Sequence, residues 1–145
     1  MDRTELHKRL GKMRLFRELP GALRERTMHV LVDVSKARSV PDGARLFELG
    51  DAAGDRGYVL LEGTVEIRKP DAPVLEAEAP DLLGEIKQIS PQQARTATVT
   101  AKGELKVLKF SWQELFQAAE VVLSPTEMDQ LKKGIEKVAW SHVTE

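Results

Sequence analysis

Cysteine is absent from this 145-residue chain, which removes disulfides, thiolate catalysis and Cys-based zinc sites together and fits a reducing compartment. Long apolar runs are missing as well. No stretch approaches the ~20 residues that span a bilayer. The opening Met1-Asp2-Arg3-Thr4-Glu5-Leu6 has no apolar core of signal-peptide length, so a soluble, cytoplasmic protein without a membrane span is expected. Charge of one sign is also lacking. Lys plus Arg number 22 against 23 Asp plus Glu, a formal net charge of -1, which makes nucleic acid a poor primary partner. The histidines His7, His29 and His142 stand far apart, without the Asp or Glu spacing of a metal centre; they are expected as surface or capping residues, with no metal. A Gly-rich Walker loop, a Gly-x-Ser-x-Gly elbow and a locally marked Ser-His-Asp set are all missing, so no catalytic residue is assigned and no enzyme is expected. No repeat or low-complexity segment interrupts the chain.

What is present has the size of one domain, long enough to bury a core without metal or disulfide support. Residues 1–38 read as helices: Leu6, Leu10 and Met13 share one face, and Leu23, Thr27, Val30, Leu31 and Val34 another, with Pro20 and Gly21 between. Residues 39–110 change character. Short runs such as Tyr58 to Leu61, Thr64 to Ile67 and Thr96 to Ala101 are broken by Gly, Pro and Asp at close intervals, which predicts a small antiparallel barrel or jelly roll. Thr64 to Ile67 and Glu104 to Phe110 alternate polar and apolar, as strands with one face on a core do. Phe47 and Tyr58 belong to strand patterns and are expected in the core.

Residues 111–145 turn helical again. Ser111-Trp112-Gln113-Glu114 is a capping-box pattern, and Ser124-Pro125-Thr126-Glu127 repeats it with proline at the first helical position. Met128, Leu131, Ile135 and Val138 then form one apolar stripe, and Gly134 within it predicts a mobile or bent point. The stripe either packs on its own barrel, the better reading, or pairs with a second copy as a homodimer, with His142 at the next heptad position.

The most informative segment is Leu83-Gly84-Glu85-Ile86, followed by Arg95-Thr96-Ala97-Thr98-Val99. It sets a carboxylate and a guanidinium around a Gly-opened turn. Arg presents a planar fork of donors to phosphate oxygens, a neighbouring hydroxyl adds another, and a carboxylate accepts from a sugar hydroxyl, which together suit a cyclic phosphate and its ribose. Taken alone, a Gly-Glu pair is only a turn, and Arg95 facing Glu85 is equally a surface ion pair of little worth to stability.

In context the segment resembles the phosphate-binding cassette of the cyclic-nucleotide-binding domain family, whose members include the catabolite activator protein, kinase regulatory subunits and cyclic-nucleotide-gated channels. Leu15-Phe16-Arg17-Glu18-Leu19-Pro20 is similar to that family's opening helical turn. Pro41 to Asp51 is similar to its first strand pair and turn, and Gly54 to Val65 to the next hairpin. The resemblance implies a mainly β fold with flanking helices: an antiparallel jelly-roll barrel of the cupin-like double-stranded β-helix type, with N-terminal helices, a cassette at residues 83–99 and C-terminal helices of the B/C type. It implies a ligand site at Leu83, Gly84, Glu85, Ile86, Lys87, Arg95 and Thr96. There Gly84 admits the ligand to the backbone, Glu85 accepts from the ribose 2'-hydroxyl, the amides of Glu85 and Ile86 face the phosphate, and Arg95 and Thr96 close on it. Trp140 by stacking or Val138 by apolar cover would shield the base, or else Trp140 anchors the chain end.

The cassette departs from the family pattern at Lys87 and Gln88, where a small residue and a leucine are usual. Lys87 at the small position either crowds a ligand or extends outward and strengthens the positive field. Pro80-Asp81-Leu82-Leu83 and Pro91-Gln92-Gln93-Ala94 also replace the usual approaches to the two halves. The function implied is a stand-alone regulatory module in signal transduction that binds cAMP or cGMP, needs no cofactor, moves its C-terminal helices and so acts on a protein partner of unknown identity. The sequence does not choose between the two nucleotides, and no DNA-binding helix-turn-helix, kinase, channel or cyclase is expected beyond the final helix. The alternative is a degenerate domain that keeps the fold as a protein-protein interaction scaffold without nucleotide. A metal-dependent cupin enzyme is weaker, for want of a histidine cluster.

Overall fold

The computed structural model describes residues 2–48, 55–84 and 97–144, the last six of these by backbone alone. In chain order it contains α1 (Arg3–Leu10), α2 (Arg14–Arg17), α3 (Gly21–Val34), β1 (Lys36–Val40), β2 (Arg45–Phe47), β3 (Arg56–Arg68), β4 (Leu75–Glu78), β5 (Asp81–Leu83), β6 (Thr98–Ser111), α4 (Trp112–Val122) and α5 (Pro125–Thr144).

Two long strands organise the sheet. β3 has 13 residues and β6 has 14, and they pair antiparallel along nearly their whole length. Each then serves a different neighbour at each end. The first half of β3 (Tyr58, Val59, Leu60) pairs with β5 and the second half (Thr64 to Ile67) with β4, while β6 pairs with β2 near Val99 and Thr100 and with β1 from Leu105 to Lys109. The β3–β6 register shifts on both sides of Glu62, where Gly63 has φ of 108° and Gly103, on the opposite strand, 83°. Such bulges bend a ladder sharply, and here they divide it into a β4-β3-β6-β2 half and a β5-β3-β6-β1 half.

The two halves face each other across one apolar cluster. Leu46, Phe47, Tyr58, Leu60, Val65, Leu83, Val99, Ala101, Leu105 and Val107 come from both and are all buried. This is the roll that the strand spacing predicts. The outer face of the second half carries Val59, Leu61, Leu82, Leu108 and Phe110, which pack with the helices into a second cluster. Residues 57–61 are therefore buried without interruption, since both faces of the strand are covered.

Several expectations are corrected in detail. Gly54 to Val65 is not a hairpin: the described part, from Arg56, is continuous β3, and Gly63 is a bulge in which a Cβ would meet Leu105 Cδ2 at 2.7 Å and the Glu104 carbonyl at 2.9 Å. β1 and β2 flank a turn at Pro41 to Ala44, but they pair with β6 rather than with each other. The first strand begins at Lys36, before Ser39.

Helical packing follows the apolar faces. Leu10, Leu23, Met28, Leu31 and Thr27 are 0–3% exposed, and the stripe Met128, Leu131, Ile135 and Val138 is buried in the same cluster within this chain. The interior of the single chain thus takes up the face that a dimer would have used. Gly134 is no bend: α5 runs through it, and a Cβ there would lie 3.1 Å from Leu15 Cδ1, so the glycine lets α2 approach α5. α1 is tied to β3 by Arg9, which donates to Glu62 at 2.6 Å and to the Leu61 carbonyl at 3.3 Å.

Candidate functional site

Two of the predicted site residues, Leu83 and Gly84, are described; Glu85, Ile86, Lys87, Arg95 and Thr96 lie outside the described residues, as does the side chain of Trp140. What the structure defines is the frame around the cassette. On the N-terminal side Leu83 pairs with Tyr58 and is buried, and on the C-terminal side β6 opens at Thr98 and buries Val99 in the same inner cluster. Both flanks of the segment are thus anchored in the interior of the roll.

Gly84 occupies a crowded point. Its φ is 95°, and a Cβ on it would sit 2.7 Å from the Arg56 carbonyl oxygen, 2.8 Å from Phe47 Cζ and 3.3 Å from Gly57 Cα. Only glycine fulfils both the backbone conformation and the contact. Phe47 forms one wall, its ring 5.5 Å from that of Tyr58 in an edge-to-face pair, and the Arg56 guanidinium lies 5.8 Å from the Phe47 centroid. Phe47 and Tyr58 pack in the core as expected, and Phe47 also shapes the cassette entrance.

The start of α4 is fastened to this entrance. The Trp112 indole Nε1 donates to the Gly84 carbonyl at 3.2 Å, and the ring is 1% exposed against Phe110 and Phe116, with centroids at 4.9 and 5.9 Å. A second tie comes from Asp55 at the head of β3. Its backbone carbonyl accepts from Trp112 N at 3.0 Å, and its carboxylate accepts from Gln113 N at 3.2 Å and from the Ser111 hydroxyl. Ser111 Oγ accepts in turn from Glu114 N at 3.2 Å, as the capping pattern predicts, but the carboxylate that reaches this helix start is that of Asp55. Sequence reasoning missed Asp55 because its partners lie 56 and 58 residues away.

The second capping box forms in both directions. Ser124 Oγ accepts from Glu127 N at 3.2 Å and Glu127 Oε1 accepts from Ser124 N at 3.0 Å. Arg26 of α3 adds a forked ion pair to the same carboxylate, one arm at 3.0 Å, so the start of α5 is clamped to α3. The amide of Ser124 and then Arg26 hold the Glu127 carboxyl below its ordinary pKa.

The histidines are less scattered than the sequence implies. His7 of α1 and His29 of α3 lie with ring centroids 4.5 Å apart, and Glu25, one turn before His29, brings its carboxylate to 3.9 Å from His7 Nδ1. The His7 side chain is 18% exposed and is not a surface residue. The Glu25-x-x-x-His29 spacing on one helix was the available signal. Among the described residues no helix is long and apolar enough to cross a membrane.

Comparisons with known proteins agree with this architecture. No curated protein matches the chain. Among solved structures, the regulatory domain of Toxoplasma gondii PKA, crystallised with cAMP, aligns with a TM-score of 0.66 at 22% identity over 93% of this chain, which spans 50% of that one. A Geobacter metallireducens GS-15 protein described as cyclic nucleotide-binding aligns with a TM-score of 0.67 at 20% identity, covering 94% of this chain and 96% of that one. The N-terminal domain of a transcriptional regulator from Streptomyces coelicolor A3(2) aligns with a TM-score of 0.67 at 26% identity, covering 93% and 92%. The cyclic nucleotide-binding domain profile matches residues 37–121, from β1 to the end of α4, and the chain belongs to that family.

Proposed function

We propose that the protein is a cyclic-nucleotide receptor module in which Leu83, Gly84, Glu85, Ile86, Lys87, Arg95 and Thr96 hold cAMP or cGMP and Trp140 covers the base. The observation that carries this reading is Gly84: a glycine at φ of 95°, pressed against Arg56 and Phe47, at the entrance of a segment that follows the family's Gly-Glu-aliphatic and Arg-Thr pattern. By the family's pattern the amides of Glu85 and Ile86 would face the phosphate, and the Arg95 guanidinium would supply charge-assisted donors.

The route out of the site runs through α4. Gly84 follows β5 at the start of the cassette and Asp55 stands at the head of β3, and both bond to the first turn of that helix. A ligand that shifts Gly84 must shift Trp112 or break its bond. The ligand moves the helices only by as much as it prefers one arrangement over the other. A protein partner that reads the positions of α4 and α5 completes the regulatory role, and no chemistry on the nucleotide is part of it.

Calorimetric titration with cAMP and cGMP tests the reading, joined by a thermal-shift panel of cyclic mono- and dinucleotides. Saturable binding that Arg95→Ala abolishes, with folding intact, is the expected result; no heat with either mononucleotide up to millimolar concentration overturns it. Lys87 and Gln88 favour the second reading, a scaffold that has left nucleotide behind, and partner capture unaffected by nucleotide and altered by Arg95→Ala is the outcome that selects it.

A further inference from the structure

We propose that His7, Glu25 and His29 form a binding site for a transition-metal dication of the zinc, nickel or copper class, which would bridge α1 to α3. The donor atoms of the three side chains lie within 4.8 Å of one another. A tetrahedral ion with bonds near 2 Å holds its ligands roughly 3.3 Å apart, so small side-chain rotations close the site. The mobile partner is Glu25, whose side chain is 65% exposed and whose carboxylate already stands 3.9 Å from His7 Nδ1. Two imidazoles and one carboxylate suit borderline metals and not calcium or magnesium, which take oxygen ligands. Three protein ligands leave a fourth position for water.

One further feature supports the assignment. Among the described residues the buried His7 Nε2 has no hydrogen-bond partner, so one nitrogen of this imidazole is left without a bond. One group opposes it. Arg3 approaches His29 Nδ1 at 3.2 Å while pairing with Asp33 at 2.8 Å, and it competes with a cation for this imidazole.

The site lies on the N-terminal helices, and its test is independent of nucleotide binding. Zinc titrated into the full chain by calorimetry should bind at one equivalent and raise Tm. Glu25→Gln and His29→Gln, both at exposed positions, should each raise Kd by at least about tenfold with the circular dichroism spectrum unchanged. Arg3→Ala should tighten binding, and His142→Gln should leave it as it is. Absence of saturable binding at sub-millimolar zinc, or binding that survives in the Glu25→Gln, His29→Gln double variant, overturns the proposal.

Discussion

The indole nitrogen of Trp112 donates to the carbonyl oxygen of Gly84 across 28 residues of sequence, joining the first turn of α4 to the residue that opens the cassette. Trp112→Phe keeps an aromatic ring against Phe110 and Phe116 and deletes the donor. The lost hydrogen bond and the smaller ring should cost about 1–3 kcal/mol of stability. The informative readout is hydrogen exchange at Gln113 and Glu114. Their amides should slow on addition of nucleotide in the wild type and respond far less in the variant. An equal response in both would show that the helix is driven by another path, with Asp55 the next candidate.

Gly84→Ala asks a different question of the same point. An L-residue at φ of 95° is strained by about 1–3 kcal/mol, and the new methyl must also displace the Arg56 carbonyl or the Phe47 ring. We expect Tm to fall and any nucleotide affinity to fall further than the loss of stability explains. A variant with wild-type Tm would mean that the backbone at this position relaxes freely.

The comparison of Gly63 with Gly84 shows what the sequence reveals and what it hides. Both are glycines between apolar runs and both read as turns, yet Gly63 is a bulge inside continuous β3 and Gly84 ends β5. The difference lies in pairing with β6, some forty residues downstream, which no local window contains. Alternation at Val65 and Leu105 was legible because one face of those strands is solvent-exposed. The run from Gly57 to Leu61 carries no such period, since helices cover its outer face. Helix starts at Ser111 and Ser124 were legible because caps are local. Asp55, Trp112 and the meeting of His7 with Glu25 and His29 depend on tertiary contact and were not.

Thr27 makes the interior testable without touching the cassette. It is 2% exposed on α3 and its hydroxyl has no hydrogen-bond partner among the described residues, which leaves a polar group desolvated without return. Thr27→Val replaces that hydroxyl by a methyl of similar size. Stability should rise by about 1 kcal/mol, read as a Tm higher by a few degrees. A lower Tm would show that an ordered water satisfies Thr27 in solution.

Glu127 gives the clamp at the start of α5 a defined dependence on pH. Its carboxyl lies below the ordinary value of 4.5, first through the Ser124 amide and then through Arg26. For a depressed acid the folded state binds the proton more weakly than the unfolded state does. The stabilisation is therefore complete above the ordinary value and is lost as pH falls through the folded one. Glu127→Gln keeps the shape and removes the charge, so the wild type should be the more stable at neutral pH. The gap should narrow steadily as the solution is acidified below the ordinary carboxylate range. The Arg26 side chain is 43% exposed, so added salt should shrink the part of the gap that comes from the ion pair and leave the Ser124 cap in place. Chemical denaturation of both proteins across pH, at low and high salt, separates the two contributions. A gap that is constant with pH would mean that the Glu127 carboxylate is not held by these partners in solution.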